Sequence, residues 1–408
     1  MKLKKFFLTL SVLLTAAVTA KTQTFYICYG SDVTAASEIS FSNNGATLNG
    51  SMQTTDIDSI TTHVPAMHFV GGDISMLTEY EKQKANFLDG NGKKIDNLLT
   101  FLKEQGWNAV RLRLFVDPTK TNDPKQVFQD IDYVKALGKR IKDEGMLLML
   151  DFHYSDTWAD PAAQWTPDSW LTLTDAQLYE KIYTYTKECL QAMNAAGASP
   201  DFIQTGNEIS YGMLWGAKGS QSYRCYMGNE ANWPRFTTLL KQAGKACREV
   251  CPQAKIIVHT ERAGQTDVLK NFYQQMNKYG VDYDIIGLSY YPYYHGTQAT
   301  ISSSLSMLEN NFAGKPIMIV ETGCAYRYKM GDRDQGYALT NEGQRQFTAD
   351  LITMLKKHPA VNGLFWWYPE ANAKGCTGNL NSGWYNAGLF DNSTGCALPA
   401  LYELKSFK

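Results

Sequence analysis

Two glutamates stand out by position as well as by type. Glu208 closes the segment Gln204-Thr205-Gly206-Asn207-Glu208, and Glu321 sits within Ile319-Val320-Glu321-Thr322-Gly323, so each follows a short apolar run of the kind that forms a buried strand. Two carboxyl groups delivered to one place are the usual requirement for cutting a glycosidic bond. One protonates the departing oxygen, while the other attacks the anomeric carbon or activates water, and their separation decides which. A glutamate at a strand end can equally form a structural ion pair, so the elements that carry the two residues have to be read next.

From His68 onward short apolar runs alternate with longer helix-like stretches. Eight runs read as parallel strands buried on both faces: Phe69 to Ile74, Ala109 to Phe115, Met146 to Phe152, Phe202 to Gly206, Ile256 to His259, Ile285 to Ser289, Ile317 to Val320 and Gly363 to Trp367. Helix-like stretches between them include Asn97 to Glu104, Val127 to Glu144, Asp175 to Ala196, Phe236 to Val250 and Gln344 to Lys357. This alternation points to an α/β fold, a (β/α)8 TIM barrel, with an open doubly wound sheet as the alternative. No GxGxxG follows the first strand, so nothing supports a dinucleotide site. Polar residues fall at or just beyond the strands' carboxyl ends: Asp73, Arg113, Asp151, His153, Glu208, His259, Tyr290, Glu321 and Trp366. In a closed barrel those ends converge on one mouth.

The bulk numbers restrict the substrate. With 408 residues, 44% hydrophobic and 19% charged, the chain can bury a large core, and a formal net charge of −1 provides no field to gather nucleic acid or anionic lipid. A neutral substrate fits better. Aromatic residues, 12% of the chain, can line sugar sites because they pair flat apolar faces with polar tips.

Residues 1–20 read as a secretory signal: Lys2, Lys4 and Lys5, an apolar run from Phe6 to Val18, and a small-residue cleavage site at Val18-Thr19-Ala20. The expectation is an exported protein, secreted, periplasmic or cell-surface, without a transmembrane anchor. Residues 21–65, rich in Ser, Thr, Asn and Gly, suggest a short β-rich or irregular N-terminal extension, with stretches such as Glu38-Ile39-Ser40-Phe41 and Ala46-Thr47-Leu48-Asn49 reading as small strands. The catalytic domain is then 66–408. Eight scattered cysteines contain no metal-type CxxC pair, and Cys376 and Cys396, flanking a Gly- and Asn-rich loop, are candidates for a disulfide, with free buried thiols as the alternative.

Motifs along the barrel region make a resemblance specific. They are Phe69-Val70-Gly71-Gly72-Asp73-Ile74-Ser75, Asn108-Ala109-Val110-Arg111-Leu112-Arg113, and the long Asp151-Phe152-His153-Tyr154-Ser155-Asp156-Thr157-Trp158-Ala159-Asp160-Pro161. Further on come Gly206-Asn207-Glu208-Ile209, Gly212-Met213-Leu214-Trp215, Ser289-Tyr290-Tyr291-Pro292, Val320-Glu321-Thr322, Gly388-Leu389-Phe390-Asp391 and Leu398-Pro399-Ala400-Leu401. Over most of residues 67 to 402 the chain resembles glycoside hydrolase family 53, the endo-β-1,4-galactanases, within a clan of retaining barrel hydrolases.

The resemblance implies Glu208 as general acid/base, Glu321 as nucleophile, and Asn207 as a hydrogen-bonding partner of the sugar 2-hydroxyl. It also implies that Arg111 holds the nucleophile, although Arg113 has the same side-chain parity. Tyr290 is expected to donate to Glu321, and His153 and Asp73 to position the sugar or support the groups that do. Trp366 is expected as an aromatic floor, with Trp367 turned into packing. The implied substrate is β-1,4-galactan, with no nucleic acid partner and no required cofactor or metal.

Two departures bear on the loops. Gly323-Cys324 stands where the family usually has a small residue followed by an aromatic one, so the seventh loop is expected to be reshaped. Lys374 to Asn386 lacks the carboxylates that a calcium site prefers, while Asp332 and Asp334 leave a weak calcium site open. The competing readings are another β-glycanase of the clan, a glycan-binding barrel without catalysis, and a metal-dependent barrel hydrolase, whose His-x-His is missing from the first strand.

Overall fold

The computed structural model describes residues 67–408 apart from 121–126, 226–229, 377–379 and 381–382, and before residue 67 it describes six short strands. The chain divides into two compact units, Met1–Met67 and His68–Lys408. In the first, Phe25–Tyr29 pairs with Asp32–Ala36 and Ser59–Thr61, and Gly45–Leu48 pairs with Ile39–Ser42 and Met52–Thr54, giving two three-stranded antiparallel sheets. The alternating stretches in the extension are therefore strands. The proposed leader, residues 1–20, lies outside the described residues.

The second unit is a closed parallel barrel. Its strands are β1 (Phe69–Asp73), β2 (Ala109–Leu114), β3 (Leu147–Phe152), β4 (Phe202–Thr205), β5 (Lys255–Thr260), β6 (Ile285–Tyr290), β7 (Ile317–Thr322) and β8 (Val361–Trp367). Each pairs in parallel with its neighbours in sequence, and β8 closes onto β1, where Gly363 opposes Phe69 and Trp367 opposes Asp73. Closure excludes the open doubly wound alternative.

Helices cover the outside, and their starts follow local chemistry. Asn97 caps the helix Leu98–Glu104 through its side-chain oxygen, Asp130 caps Ile131–Asp143, and Thr174 forms a reciprocal box with Gln177 at the head of Asp175–Ala195. Each cap satisfies backbone N–H groups that the first helical turn leaves unpaired.

Two apolar layers result. A small set fills the barrel: Ala109, Met149, Phe202, Ile257, Ile285, Met318, Val320 and Phe365, with Phe69 and Leu147 at its edge. A larger set, including Val110, Leu112, Leu148, Leu150, Ile203, Ile256, Leu288 and Ile319, packs the strands' outer faces against the helices. The inner set fixes the phase of each strand, because side chains alternate between the two layers with a period of two. Counting upward from it, Asp73, Arg111, Arg113, Asp151, Gln204, His259, Ser289 and Trp367 all face inward, stacked above the hydrocarbon plug toward the mouth.

Candidate active site

Two strand ends break the alternation, and each break delivers a carboxylate. The register between β6 and β7 slips after Leu288, so that Ser289 pairs with Glu321 where unbroken pairing would have given Val320. A bulge of this kind lets Val320 fill the barrel interior while Glu321, the next residue, still faces the mouth. At the end of β4 the chain turns through Gly206 at φ +105° and Glu208 at φ +50°. The second value lies in the left-handed region that a residue with a Cβ rarely adopts, at a cost of about 1–3 kcal/mol, and such strain collects at functional sites.

Both carboxyl groups open on one cleft of roughly 780 Å³, whose walls include Trp158, Asn207, Tyr211, Tyr291, Trp367 and Trp384. Several indole and phenol rings around a few polar groups form the kind of surface on which sugar C–H faces pack.

Behind the cleft lies a buried ionic lattice. The Arg111 guanidinium, fully buried, reaches Glu321 Oε1 at 3.0 Å, Asp73 Oδ2 at 2.9 Å and Asp151 Oδ2 at 2.7 Å, and donates to Asn207 Oδ1 at 2.9 Å. Arg113 pairs with Asp73 Oδ1 at 2.8 Å and donates to the Tyr368 hydroxyl at 2.6 Å. The two arginines share Asp73. Only Arg111 touches Glu321, which decides between them.

His153 meets Asp151 Oδ2 through Nε2 at 3.1 Å while its Nδ1 accepts from the Ala159 backbone at 3.0 Å, so the ring proton sits on Nε2. Three acidic and two guanidinium groups pair in this space, and removing one member strands the rest.

The electrostatics of the two glutamates differ in cause. Burial pushes the Glu321 carboxyl up to about 7; Arg111 opposes this, Asp151 and Asp73 add to it, and the Tyr291 hydroxyl, donating to Oε2 at 3.0 Å, pulls it back. Glu208 is pushed well above the ordinary range by burial, then by the charges of Glu321 and Glu261, while a hydrogen bond from Ser289 opposes the shift. Arg111 and Tyr291 therefore favour the ionised form of Glu321, whereas the carboxylates around Glu208 favour its protonated form.

The sequence of the barrel matches the model of glycosyl hydrolase family 53 over residues 69–404. The chain belongs to that family. Among its relatives is the arabinogalactan endo-β-1,4-galactanase of Cellvibrio japonicus, 32% identical over 358 residues that cover 83% of this chain and 90% of the relative. The solved catalytic domain of a family 53 protein from Ignisphaera aggregans is 32% identical, with a TM-score of 0.74 over 84% of this chain and 96% of that one. One of two solved fungal β-1,4-galactanases superposes with a TM-score of 0.69 at 28% identity, covering 82% of this chain and 98% of that one.

Within the family 53 barrel, the expected site residues separate into three groups. Glu208, Glu321 and Asn207 line the cleft. Asp73, Arg111 and His153 stand behind it, buried, and act on the carboxylates and on one another.

Tyr290 and Trp366 point away, and both expectations need correction. The Tyr290 hydroxyl donates to the Gly296 carbonyl at 3.0 Å, and Tyr291 is the residue that donates to Glu321. Trp366 is buried outside the barrel with Nε1 donating to the Ala387 carbonyl at 2.8 Å, whereas Trp367 lines the cleft with Arg111 and Arg113 against its ring at 5.5 and 5.4 Å. The reason is strand phase: Ser289 on β6 and Tyr291 just past its end keep the inward phase of Ile285, as Trp367 on β8 keeps that of Phe365.

Ser289 and Glu261 were not singled out from the sequence. Strand phase was the signal available for Ser289, whereas Glu261 lies past the end of β5, where phase no longer guides.

Elsewhere, Cys376 and Cys396 are both free thiols, and Cys376 Sγ donates to the Asn372 carbonyl at 3.3 Å. Asp334 caps the backbone N–H of Gly336 at 2.9 Å, and among the described residues no group of three or more His, Cys, Asp or Glu is placed to hold a metal ion. Part of the Lys374 to Asn386 stretch lies outside the described residues. In the seventh loop Cys324 is fully buried, and the Ala325 N–H is held by Gln335 Oε1 at 3.0 Å.

Proposed function

We propose that this family 53 hydrolase cuts β-1,4-galactan internally, with retention of anomeric configuration. The observation that carries the reading is the pair of carboxyl groups of unlike surroundings on one open, ring-lined cleft, in a chain whose relatives are named for β-1,4-galactanase activity.

In the first step the Glu321 carboxylate attacks the anomeric carbon, the C–O bond to the leaving sugar breaks, and Glu208 gives its proton to the departing oxygen. A glycosyl ester on Glu321 results. Esterification removes the negative charge beside Glu208, which lowers its proton affinity and prepares it as a base. In the second step Glu208 takes a proton from water as the water oxygen attacks the same carbon and Glu321 leaves as carboxylate.

Asn207 positions the 2-hydroxyl: its side-chain nitrogen donates one proton to the Ala159 carbonyl at 2.8 Å, which leaves a second proton for the sugar. Trp367 forms the apolar wall under the sugar. Arg111, Asp73, Asp151 and His153 hold the nucleophile oriented, and neither step calls for a cofactor.

The substrate is the neutral polysaccharide. Export follows from the proposed leader of residues 1–20, and no helix among the described residues is long and apolar enough to cross a membrane. N-terminal sequencing of protein recovered from the medium or cell surface is expected to begin after Ala20.

Activity is tested by incubating the protein with pectic galactan, mannan and xylan. The expectation is release of short β-1,4-galacto-oligosaccharides from galactan alone, with an early fall in viscosity. No release, or equal action on mannan or xylan, overturns the reading.

A further inference from the structure

The Ser289 hydroxyl is fully buried, lies 2.7 Å from Glu208 Oε1, and has its oxygen 2.8 Å from His259 Nε2. The direction of these bonds follows from the other ring nitrogen. His259 Nδ1 faces the backbone N–H of Glu208 at 3.4 Å and the side-chain amide nitrogen of Gln204 at 3.0 Å. A backbone N–H can only donate. The Gln204 amide is fixed in orientation, because its nitrogen meets Asp151 Oδ1 at 2.5 Å and its oxygen meets Arg111 Nε at 3.4 Å. Asn207 Oδ1 also lies 3.1 Å from Nδ1, but it already accepts from Arg111 at 2.9 Å. Two donors make Nδ1 the acceptor, so the ring proton sits on Nε2 and points at Ser289. Ser289 then has one proton to give, and its remaining neighbour is Glu208 Oε1.

We infer that His259 and Ser289 form a one-way hydrogen-bond relay that reserves Oε1 of Glu208 as an acceptor and leaves Oε2 as the oxygen that carries the catalytic proton. The inference rests on Glu208 being the acid/base. In the protonated acid Oε1 is the carbonyl oxygen and Oε2 the hydroxyl. When the C–O bond breaks, the proton leaves Oε2 for the glycosidic oxygen, and the Ser289 bond strengthens as charge appears on the carboxylate. Oε2 takes a proton back from water in the second step.

His259 stays neutral throughout, since burial and the Arg111 cation hold its pKa far below the ordinary histidine value. Both are positioning residues. The other charged or titratable groups around Glu208 are Glu321 on β7, Glu261 and Arg262 after β5, Asp160 after β3, and Tyr291 and Tyr294 after β6. None is altered by changes at Ser289.

The test is the alkaline limb of the kcat/KM profile on galactan in Ser289→Ala and in the near-isosteric Ser289→Cys, whose thiol is a weaker donor. A donor to Oε1 favours the carboxylate, so its loss raises the pKa of Glu208. The limb is expected to move to higher pH by about one unit in Ser289→Ala, and by less in Ser289→Cys. If Ser289→Ala does not fold, the thiol variant alone carries the prediction. A limb that stays put overturns the relay. A limb that moves to lower pH also overturns it, because Ser289 would then be accepting from Oε1–H with His259 in the other tautomer. As a second readout, the infrared carbonyl band of protonated Glu208, assigned by difference against Glu208→Gln, is expected at higher frequency in Ser289→Ala than in the parent. An unchanged band contradicts the relay. Failure of the parent itself to cut galactan would instead sink the functional reading, and the two failures are thereby distinct.

Discussion

The two sides of the cleft treat a carboxyl group in opposite ways. On the Glu321 side a buried guanidinium sits at 3.0 Å and a phenol hydroxyl at 3.0 Å, so the carboxylate is anchored by a cation and a neutral donor. On the Glu208 side one serine hydroxyl is the donor to the carboxyl group, and carboxylates at Glu321 and Glu261 raise its proton affinity. Burial alone would keep both groups protonated and would give two acids with no nucleophile. What separates them is the single cation of Arg111. The contrast teaches that the chemistry is divided by the lattice behind the cleft more than by the residues that touch sugar.

The largest effect that could break this contrast comes from the carboxylates themselves. Glu321→Gln is expected to lose activity by on the order of 10⁴–10⁶-fold in steady-state turnover, and Glu208→Gln by about 10²–10⁴-fold. The Glu208 loss should shrink on aryl glycosides whose leaving group needs no proton. Equal losses on both substrates would remove the distinction between acid and nucleophile.

Arg111→Met probes the anchor. It leaves Asp73, Asp151 and Glu321 without their shared cation, and chemical denaturation is expected to report a loss of about 3–5 kcal/mol in stability. A variant as stable as the parent would show that the lattice is not held by Arg111.

The two tryptophans at the end of β8 sharpen the account of strand phase. Trp366→Ala empties a fully buried site and should cost about 3–5 kcal/mol by the same denaturation measurement, while Trp367→Ala should chiefly raise KM for galacto-oligosaccharides. The reverse pattern would place the sugar on the wrong ring.

Tyr291→Phe has the smallest expected effect, about ten- to hundredfold in kcat/KM, for loss of one hydrogen bond to a charged group. Its sign is informative. The Tyr291 hydroxyl favours the ionised form of Glu321, so removing it raises that pKa and moves the acidic limb of the pH profile to higher pH. Tyr290→Phe, whose hydroxyl is turned to Gly296, should leave that limb in place.

Much of the architecture was legible because periodicity is a strong signal in a barrel. All eight strands begin and end within two residues of the runs of apolar side chains, and the two glutamates of the cleft follow from residue type and placement at strand ends. What was misread has one physical origin. Tyr290 and Trp366 were preferred over Tyr291 and Trp367, although counting in steps of two from Ile285 and Phe365 puts the second member of each pair on the inner face. That count needs to know which residues plug the barrel, and an outer layer equally apolar hides the phase. The β6–β7 register slip is harder still: it breaks the count at Val320 and Glu321, so phase alone would have turned Glu321 outward. Ser289 carried no signal as a residue type, and its importance comes from three strands meeting at Glu208.

The most direct test of the central claim is to trap the glycosyl ester with an activated 2-deoxy-2-fluoro-β-galactoside or galacto-oligosaccharide and to sequence the labelled peptide by mass spectrometry. The fluorine slows departure of the sugar, so the ester accumulates on the attacking group. The account predicts one sugar per chain on Glu321, with Glu208 unmodified. A label on Glu208, or turnover of the substrate by active enzyme with no covalent adduct at any time, would contradict it.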